Sequence, residues 1–337
     1  DQIKKLEGTF ITEKHIDHLI EENTIVTNKS GKLIAVLIKN AIDKNILNSS
    51  RSSFRKAGKR GSNNRGMASG LISQFYKVGD KIGDRTIGKI DGTRYTPINI
   101  KNGKLSKTSY ALTVNSSTVG FSDRYPRIPY CRTTAFSQKH LKEYNLMIPY
   151  IKQIDNLYKQ YAPYNYDLQK KVADATSQDF VIKGTAFTTA TVNRNYRTAC
   201  HYDAGDFKHG FGNLGVLSVG NYKGAYTVIP KFGIGLNLRD GDVALFDVHE
   251  LHGNTEIKQI GYSERISVVC YYREKMIYCG NSEYELNRAK QGTKTIFNDE
   301  EKERAKEIYA KLNVWYALCY GKYSNWRTID LSYFNTN

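Results

Sequence analysis

The hydrophobic and polar positions alternate most regularly between residues 180 and 275, where short apolar runs are separated by Gly, Asn and Asp. Short runs at such regular spacing are typical of strands in an antiparallel sandwich or jelly roll. The runs lie at 180–182, 187–192, 215–219, 225–229, 234–238, 243–246 and 266–272. We therefore predict an α+β fold with a double-stranded β-helix (jelly-roll) core over 180–275 and flanking helices.

The flanking parts show other periods. We predict a helix over 16–22, a strand over 32–38 and β-hairpins between 72 and 119, with Asn102-Gly103 as the best two-residue turn. Apolar residues at helical spacing follow from Ser137 to Leu157, and Pro149 should kink or split that helix. The tail over 276–337 is again helical. We expect one domain, 1–337, with an N-terminal α/β portion over 1–179.

The composition is that of a globular protein. Of 337 residues, 40% are hydrophobic, and no apolar run approaches the roughly 20 residues that a membrane span needs. Five scattered cysteines argue against a disulfide framework and for a reducing compartment. We expect an intracellular location, in the cytoplasm or nucleus, and the AT-biased residue usage also fits a viral or phage protein acting in a host cell.

The formal net charge of +17 indicates a polyanionic partner, most simply nucleic acid, although a lysine-rich surface alone would give the same balance. Residues 49–70 contain no Asp or Glu and are rich in Ser, Asn and Gly, so we predict a basic loop or arm. The alternative is a solvated linker. The candidate phosphate contacts are Arg51, Arg55, Lys56, Lys59, Arg60 and Arg65. No membrane or protein partner is indicated, and we expect a monomer.

The candidate chemistry centres on His201 and Asp203. Positions i and i+2 of an extended strand face the same way, so one imidazole and one carboxylate can reach the same point. A second histidine from a distant strand would complete the two-His, one-carboxylate triad that suits Fe(II) and leaves coordination positions open. His249 and His252 both qualify. Being three apart, they face opposite sides of a straight strand, so only one should join.

Arg265 supports this chemistry. In oxygenases that use 2-oxoglutarate, the far carboxylate of the co-substrate needs a fixed cation, and arginine provides one through a bidentate pair. Ser267 lies two residues further along the same predicted strand face and could add a hydroxyl contact. A surface salt bridge is the alternative for Arg265.

The region 188–275 resembles the TET/JBP family of Fe(II)- and 2-oxoglutarate-dependent nucleic-acid dioxygenases, and its base-J-binding-protein and algal or viral branch in particular. The resemblance is carried by Asn193, RTACHYDAGDF at 197–207, GFGNL at 210–214, GDVALFD at 241–247, HELHGNT at 249–255 and RISVV at 265–269. It implies that His252 is the distal iron ligand, that Arg265 binds 2-oxoglutarate and that Ser267 is a neighbouring contact. Asn213 is counted with the cofactor-binding residues, and Asp206 with those that shape the loops.

The resemblance also implies a reaction: oxidation of the 5-methyl group of a pyrimidine in DNA, thymine or 5-methylcytosine, to 5-hydroxymethyl. Iron, 2-oxoglutarate and O₂ would supply the oxidant, with ascorbate as an optional reductant. The methyl group lies inside the duplex, so the nucleotide must be flipped out or presented single-stranded. Arg132 and Asn193 are our candidates for pocket contacts.

Two alternatives stay open. The triad and arginine would equally serve a 2-oxoglutarate-dependent hydroxylase of a protein or small molecule, and only the basic charge favours DNA. A non-catalytic nucleic-acid-binding jelly roll would predict the loss of a triad residue or of Arg265, and all four are present.

Overall fold

The computed structural model describes residues 2–319 and 329–330. The strands run in the order β1 His18–Ile20, β2 Thr24–Thr27, β3 Leu33–Ile38, β4 Gly61–Ser62, β5 Lys81–Ile82, β6 Arg85–Asp91, β7 Arg94–Pro97, β8 Tyr110–Ala111, β9 Val114–Ser122, β10 Arg132–Thr133, β11 Thr189–Arg194, β12 Gly212–Gly224, β13 Thr227–Ile229, β14 Ile234–Leu236, β15 Val243–Phe246, β16 Gly253–Asn254, β17 Ile257–Tyr271 and β18 Ile329–Asp330. The α-helices are α1 Lys44–Gly58, α2 Ala135–Lys139, α3 Leu141–Tyr161, α4 Pro163–Ala175, α5 Ser282–Lys290 and α6 Asp299–Cys319.

Two sheets face each other and enclose the centre of the molecule. The larger has the order β10-β9-β11-β17-β12-β15-β3-β2-β18, with β4 paired to β9, and the smaller has the order β1-β14-β13-β16. Apolar side chains from both sheets meet between them, among them Leu214 and Phe246 from the larger and Ile229 and Leu236 from the smaller. This arrangement is the predicted jelly roll, and strand β15 has the bounds that the sequence predicts.

Helices α1, α3 and α4 cover the outer face of the larger sheet. Their buried residues, such as Phe54, Tyr150 and Val172, pack against Val192 and Val268 of the sheet. The alternation along β11 and β17 explains this packing, because every second residue of a strand faces the same side. The alternate residues of β11 and β17 face the opposite way, into the space between the two sheets.

A third sheet, β5-β6-β7-β8, lies apart from these two and has a small core of its own around Ile72, Ile87 and Tyr95. The hairpins predicted between 72 and 119 are therefore present. Asn102-Gly103 does lie in a turn, because the Gly103 amide donates to the Asn99 carbonyl and Ile98 bridges Leu105, but that turn is longer than the predicted two residues. A two-residue turn instead connects β6 to β7, where Asp91 pairs with Arg94 and Gly92 has a φ of 58°, a left-handed conformation that favours glycine.

Two other local predictions are wrong, and a third is wrong in part. Residues 16–22 contain the strand β1 instead of a helix, because His18–Ile20 pairs in parallel with β14. The predicted basic loop is helical up to Gly58, since Asp43 caps α1 and buried residues such as Leu47 and Phe54 anchor it. Pro149 does not split its helix, which runs from Leu141 to Tyr161 with the proline inside.

The cysteines also depart from expectation. Cys131 and Cys279 form a disulfide, whereas Cys200 and Cys270 are free and buried. The prediction of unpaired cysteines is therefore wrong for this pair. The two residues are 148 positions apart, so the sequence gives no local sign that they meet. Within the described residues, no helix is long and apolar enough to cross a membrane.

Candidate active site

His201 and His252 face each other across an isolated antiparallel bridge. The His201 amide donates to the His252 carbonyl at 2.8 Å, and the His252 amide donates back to the His201 carbonyl at 3.1 Å. Gly253 makes this close approach possible. A Cβ atom there would lie 3.1 Å from backbone atoms of Thr198, Ala199 and Cys200, which cannot easily move. The bridge places the two imidazole centroids 4.5 Å apart.

Backbone carbonyls fix the tautomer of both rings. Nδ1 of His201 lies 2.8 Å from the Ala199 carbonyl, and Nδ1 of His252 lies 3.0 Å from the Glu250 carbonyl. A carbonyl only accepts, so each Nδ1 must carry the proton and donate it. Each Nε2 is then left with a free lone pair, which is how metal-binding histidines are usually prepared.

Asp203 completes the group. Its carboxylate oxygens lie 3.4 Å from Nε2 of His201 and 3.6 Å from Nε2 of His252, and the three ligand atoms lie within 4.8 Å of one another. Burial alone would raise the pKa of Asp203, but the close contact with His201 and the other nearby histidines outweighs burial and lowers the pKa to about 2. Burial, reinforced by His201, lowers the pKa of His252 to about 4. An ionised carboxylate and a neutral imidazole are the forms that bind a metal.

His249 lies outside this group. Its Nδ1 is 3.1 Å from Asp247, whose other oxygen accepts from Lys32 at 2.7 Å. Of the two candidates for the distal ligand, the structure therefore brings His252 to His201 and Asp203. His249 instead forms part of the surface opening beside Tyr202 and Lys208.

Arg265 and Ser267 lie on the same face of β17, which lines the cavity between the sheets, while Ile266 and Val268 face the helices. The Arg265 side chain is buried and lies beside Tyr222, and burial lowers its pKa below the ordinary arginine value. Its Nε has no hydrogen-bond partner, and the described residues provide it with no acidic partner. A buried guanidinium in this state is costly unless an anion joins it.

The cavity between the sheets joins these residues into one site. Its volume is about 430 Å³, and its walls include His201, Asp203, His252, Arg265 and Ser267. Metal-ligand side chains and an unpaired cation thus share one enclosed space. The donor set fits an iron ion, and the arginine fits a dianionic co-substrate.

The remaining predicted pocket residues separate into two groups. Asn193 lines the cavity, and its side-chain oxygen accepts from the Ser116 hydroxyl. Asn213 does not line it, which corrects the sequence analysis: its amide donates to the Phe211 and Cys270 carbonyls on the helix side of the sheet. Arg132 is also outside, donating to the Asp123 carbonyl and stacking on the Tyr125 ring.

The cations of the basic segment, 49–70, also fall into two groups, one ion-paired and one not. Arg51 forms a bidentate pair with Asp240, Arg55 pairs with Glu264, and Lys56 pairs with Glu143. These three charges are internally neutralised and fasten α1 to the body of the protein. Lys59 is exposed, and Arg65 lines the cavity with an unpartnered Nε.

Sequence reasoning missed part of the cavity wall. Asp206, taken for a loop-shaping residue, is buried in the wall, and its Oδ2 has no partner. Burial, followed by the Asp203 carboxylate, raises the pKa of Asp206 well above its usual range. Arg273 also lines the wall and pairs with Asp123 at 2.8 Å. The sequence signal that could have placed Asp206 in the cavity wall is its position three residues after Asp203.

These features define the class of protein: a jelly roll with a two-His, one-carboxylate group and a cavity arginine is the catalytic unit of an iron- and 2-oxoglutarate-dependent oxygenase. Comparison with protein families agrees, since residues 119–274 match the Tet_JBP model, described as the oxygenase domain of the 2OGFeDO superfamily. Residues 119–274 of this chain therefore match the oxygenase domain of the TET/JBP family, which the sequence motifs predict.

Curated relatives support the same family. The bifunctional helicase and thymine dioxygenase JBP2 of Leishmania tarentolae is 37% identical over 198 residues, which are 58% of this chain and 17% of that protein. The thymine dioxygenase JBP1 of Trypanosoma brucei brucei is 39% identical over 166 residues, 47% of this chain and 19% of that protein. The matched region thus spans less than a fifth of either relative.

The fold is also found in a solved structure of NgTET1 in complex with 5mC DNA. The two chains superpose with a TM-score of 0.50 at 12% identity, over 81% of this chain and 86% of that one. The predicted α+β jelly-roll fold is confirmed.

Proposed function

We propose that this protein is an Fe(II)- and 2-oxoglutarate-dependent dioxygenase that oxidises the 5-methyl group of thymine in DNA to 5-hydroxymethyl. One observation carries the proposal: a single cavity brings together a His-Asp-His group and a buried arginine that has no acidic partner among the described residues.

His201, Asp203 and His252 would hold the iron, and Arg265 with Ser267 would bind the far carboxylate of 2-oxoglutarate. When bound with O₂, these groups supply the oxidant that an unactivated methyl C–H requires and that no protein side chain provides. The protein's own part is to orient and to enclose. The Ala199 and Glu250 carbonyls hold the two imidazoles in one tautomer, and the two sheets provide the walls of the cavity around them.

Thymine is favoured over 5-methylcytosine because the relatives at 37% and 39% identity are named thymine dioxygenases. The enclosed cavity supports base flipping, since a base stacked in a duplex has no access to a site between two sheets. Asp206 and Asn193 offer polar atoms in the wall for reading the base edge. A DNA substrate also agrees with the location expected from the sequence, which is the nucleus or the cytoplasm.

Among the predicted phosphate contacts, Lys59, Arg60 and Arg65 are the better supported. Arg65 is part of the cavity wall, and Arg60 follows the end of α1. Arg51, Arg55 and Lys56 are already paired with acidic residues, so their contact with DNA would require those pairs to open.

The proposal is tested by mass spectrometry of nucleosides from DNA incubated with protein, Fe(II), 2-oxoglutarate and ascorbate. Unmodified DNA and DNA carrying 5-methylcytosine are compared, with Asp203→Ala as the inactive control. We expect 5-hydroxymethyluracil from unmodified DNA, with succinate in equal amount. A product from the 5-methylcytosine DNA alone would show that the substrate is 5-methylcytosine instead of thymine. Succinate without any modified base would favour a protein or small-molecule hydroxylase.

A further inference from the structure

We propose that the small sheet of β5, β6, β7 and β8, with its flanking residues, binds the phosphate backbone of DNA beside the target base. We call residues 77–112 the basic sheet. The choice of DNA as partner rests on the proposed function. The sheet lies outside the 119–274 region that matches the family, so the family's catalytic core does not account for it.

Charge is the first reason. Residues 77–112 contain eight Lys or Arg and three Asp, with no Glu. All eight basic side chains are exposed, and none is ion-paired with an acidic residue in the part of the chain that the structure describes. They are Lys77, Lys81, Arg85, Lys89, Arg94, Lys101, Lys104 and Lys107.

This state contrasts with that of helix α1, where sequence reasoning had placed the DNA contacts. There Arg51, Arg55 and Lys56 each hold an acidic partner. An unpaired exposed cation can bind a phosphate without giving up an acidic partner, and in doing so it releases counterions that are condensed on the DNA. The basic sheet is therefore the stronger phosphate-binding surface.

The sheet is also rigid enough to present its charges in a fixed pattern. Ile87 and Tyr95 are buried in its core, with Ile72 from the preceding segment. Arg94 precedes Tyr95 and so faces the opposite, outer side, which Lys89 shares through its register partner Thr96. Leu105 and Ile100 are exposed between the lysines, Ile100 at 86%. Apolar groups among cations are common where proteins approach the grooves of DNA.

Its position next to the cavity is the third reason. Residues 64–68 line the cavity, and the chain continues from there through Ile72–Gln74 into the sheet. The Ile72 amide donates to the Gly92 carbonyl at 3.0 Å, which ties this segment to the turn between β6 and β7. A duplex whose flipped base enters the cavity would thus have the basic sheet close to its flanking phosphates.

The test measures DNA binding and turnover separately. The variant replaces Lys81, Lys89, Lys101 and Lys104 with Gln, and a control replaces four exposed lysines of the helical side, Lys139, Lys142, Lys159 and Lys183, with Gln. Both lose the same charge. Binding of a fluorescein-labelled duplex, several helical turns long, is followed by anisotropy from low to high salt, and nucleoside oxidation is followed in parallel.

We expect the sheet variant to bind at least about tenfold more weakly at physiological salt, with a log–log salt slope reduced by about 3, since each phosphate contact contributes roughly 0.9. The control should keep the wild-type slope, and thermal melts of both should match wild type. Equal loss in both variants, or an unchanged slope in the sheet variant, would overturn the inference. So would sheet-dependent binding to phosphatidylserine vesicles with none to DNA.

The design separates this inference from the proposed function. If the wild type oxidises no base in DNA but the sheet variant alone loses duplex binding, the proposed activity fails and the DNA-binding surface stands. If the wild type oxidises thymine and the sheet variant binds and oxidises normally, the activity stands and the surface is wrong.

Discussion

At the scale of single residues, the site depends on which ring nitrogen each histidine exposes. His201 and His252 each use Nδ1 for a backbone carbonyl, so both Nε2 atoms are turned towards Asp203. His249 uses its Nδ1 for Asp247 and lines the surface opening beside Tyr202 and Lys208. The motif HELH at 249–252 therefore contains one candidate metal ligand, His252, and one structural histidine, His249.

This difference predicts unequal effects of two substitutions. His252→Ala should reduce Fe(II) affinity by more than the 10–100-fold that loss of an outer-sphere partner typically costs. His249→Ala should keep affinity close to wild type, because Nε2 of that ring does not reach the group. Anaerobic calorimetric titration with Fe(II) measures both. A larger loss in His249→Ala than in His252→Ala would show that the wrong histidine was chosen.

Arg265 gives the second prediction at this scale. Arg265→Lys keeps the charge but loses the planar fork that pairs with a carboxylate in two places. We expect the KM for 2-oxoglutarate to rise about ten- to a hundredfold, the loss of a charge-assisted hydrogen bond, with Fe(II) affinity unchanged. Arg194→Lys, at an ion pair of the same sheet, is the matched control. Steady-state succinate formation against 2-oxoglutarate concentration measures it, and an unchanged KM would exclude Arg265 from the co-substrate site.

At the scale of elements, helix α1 is fastened to the sheet by a buried carboxylate. Glu264 of β17 is 2% exposed and receives Arg55 from α1 at 2.5 Å and Arg194 from β11 at 2.6 Å. Burial works against its ionisation, but the hydrogen bonds with Arg55 and Arg194 outweigh burial and lower the pKa of Glu264. One carboxylate thus joins a helix to two strands next to Arg265.

The sign of that shift gives a pH prediction. Because the folded pKa is below the unfolded value, the pair stabilises the protein above pH of about 4.5, and this stabilisation is lost as pH falls through the folded pKa. Glu264→Gln should lower the unfolding free energy at pH 7 and flatten its decline below pH of about 4.5. Urea unfolding at several pH values measures both. Glu143→Gln, at the exposed pair with Lys56, should change stability much less; equal effects would contradict the assignment.

The elements also show how far sequence reasoning reaches. Strand β15 and the second half of β17 were predictable because both the apolar runs and the turn residues are local signals. The triad was predictable because the two-residue spacing of His201 and Asp203 is a local signal, although His201 lies in an isolated bridge and Asp203 in a loop rather than in a strand. Residues 16–22 were mispredicted because β1 is specified by pairing with β14, more than 200 positions away. The α1 arginines were misassigned for the same reason: their partners Asp240 and Glu264 are distant in the chain.

At the scale of the whole molecule, the C-terminal helices are joined to the catalytic sheet through one buried arginine. Arg124, which follows β9, is fully buried and binds Glu285 of α5 and Glu301 of α6. Glu285 also accepts from the Cys131 amide at 2.7 Å, next to the disulfide with Cys279. The cluster and the disulfide therefore connect the same two regions.

Removing the arginine should detach these helices. Arg124→Ala leaves the buried Glu285 carboxylate without a cation and Glu301 with only Arg288 at 3.9 Å; breaking a buried pair in this way costs about 3–5 kcal/mol. We expect lower thermal stability and faster proteolysis within 280–319, while the iron ligands, all outside the cluster, keep their affinity in the folded fraction. Arg132→Ala, a neighbouring arginine without an ion pair among the described residues, should have little effect.

The disulfide allows the two connections to be separated, because it survives in Arg124→Ala under oxidising conditions and opens with reductant. Oxidised Arg124→Ala should keep α5 tethered at Cys279 and be cleaved mainly beyond it. Reduction should cost wild type about 2–4 kcal/mol, the usual contribution of a disulfide. In Arg124→Ala, reduction should extend cleavage to residues 274–281, since neither connection then remains. If reduction leaves both proteins equally stable and equally resistant, the disulfide does not form in solution and the arginine cluster alone holds the C-terminal helices to the catalytic core.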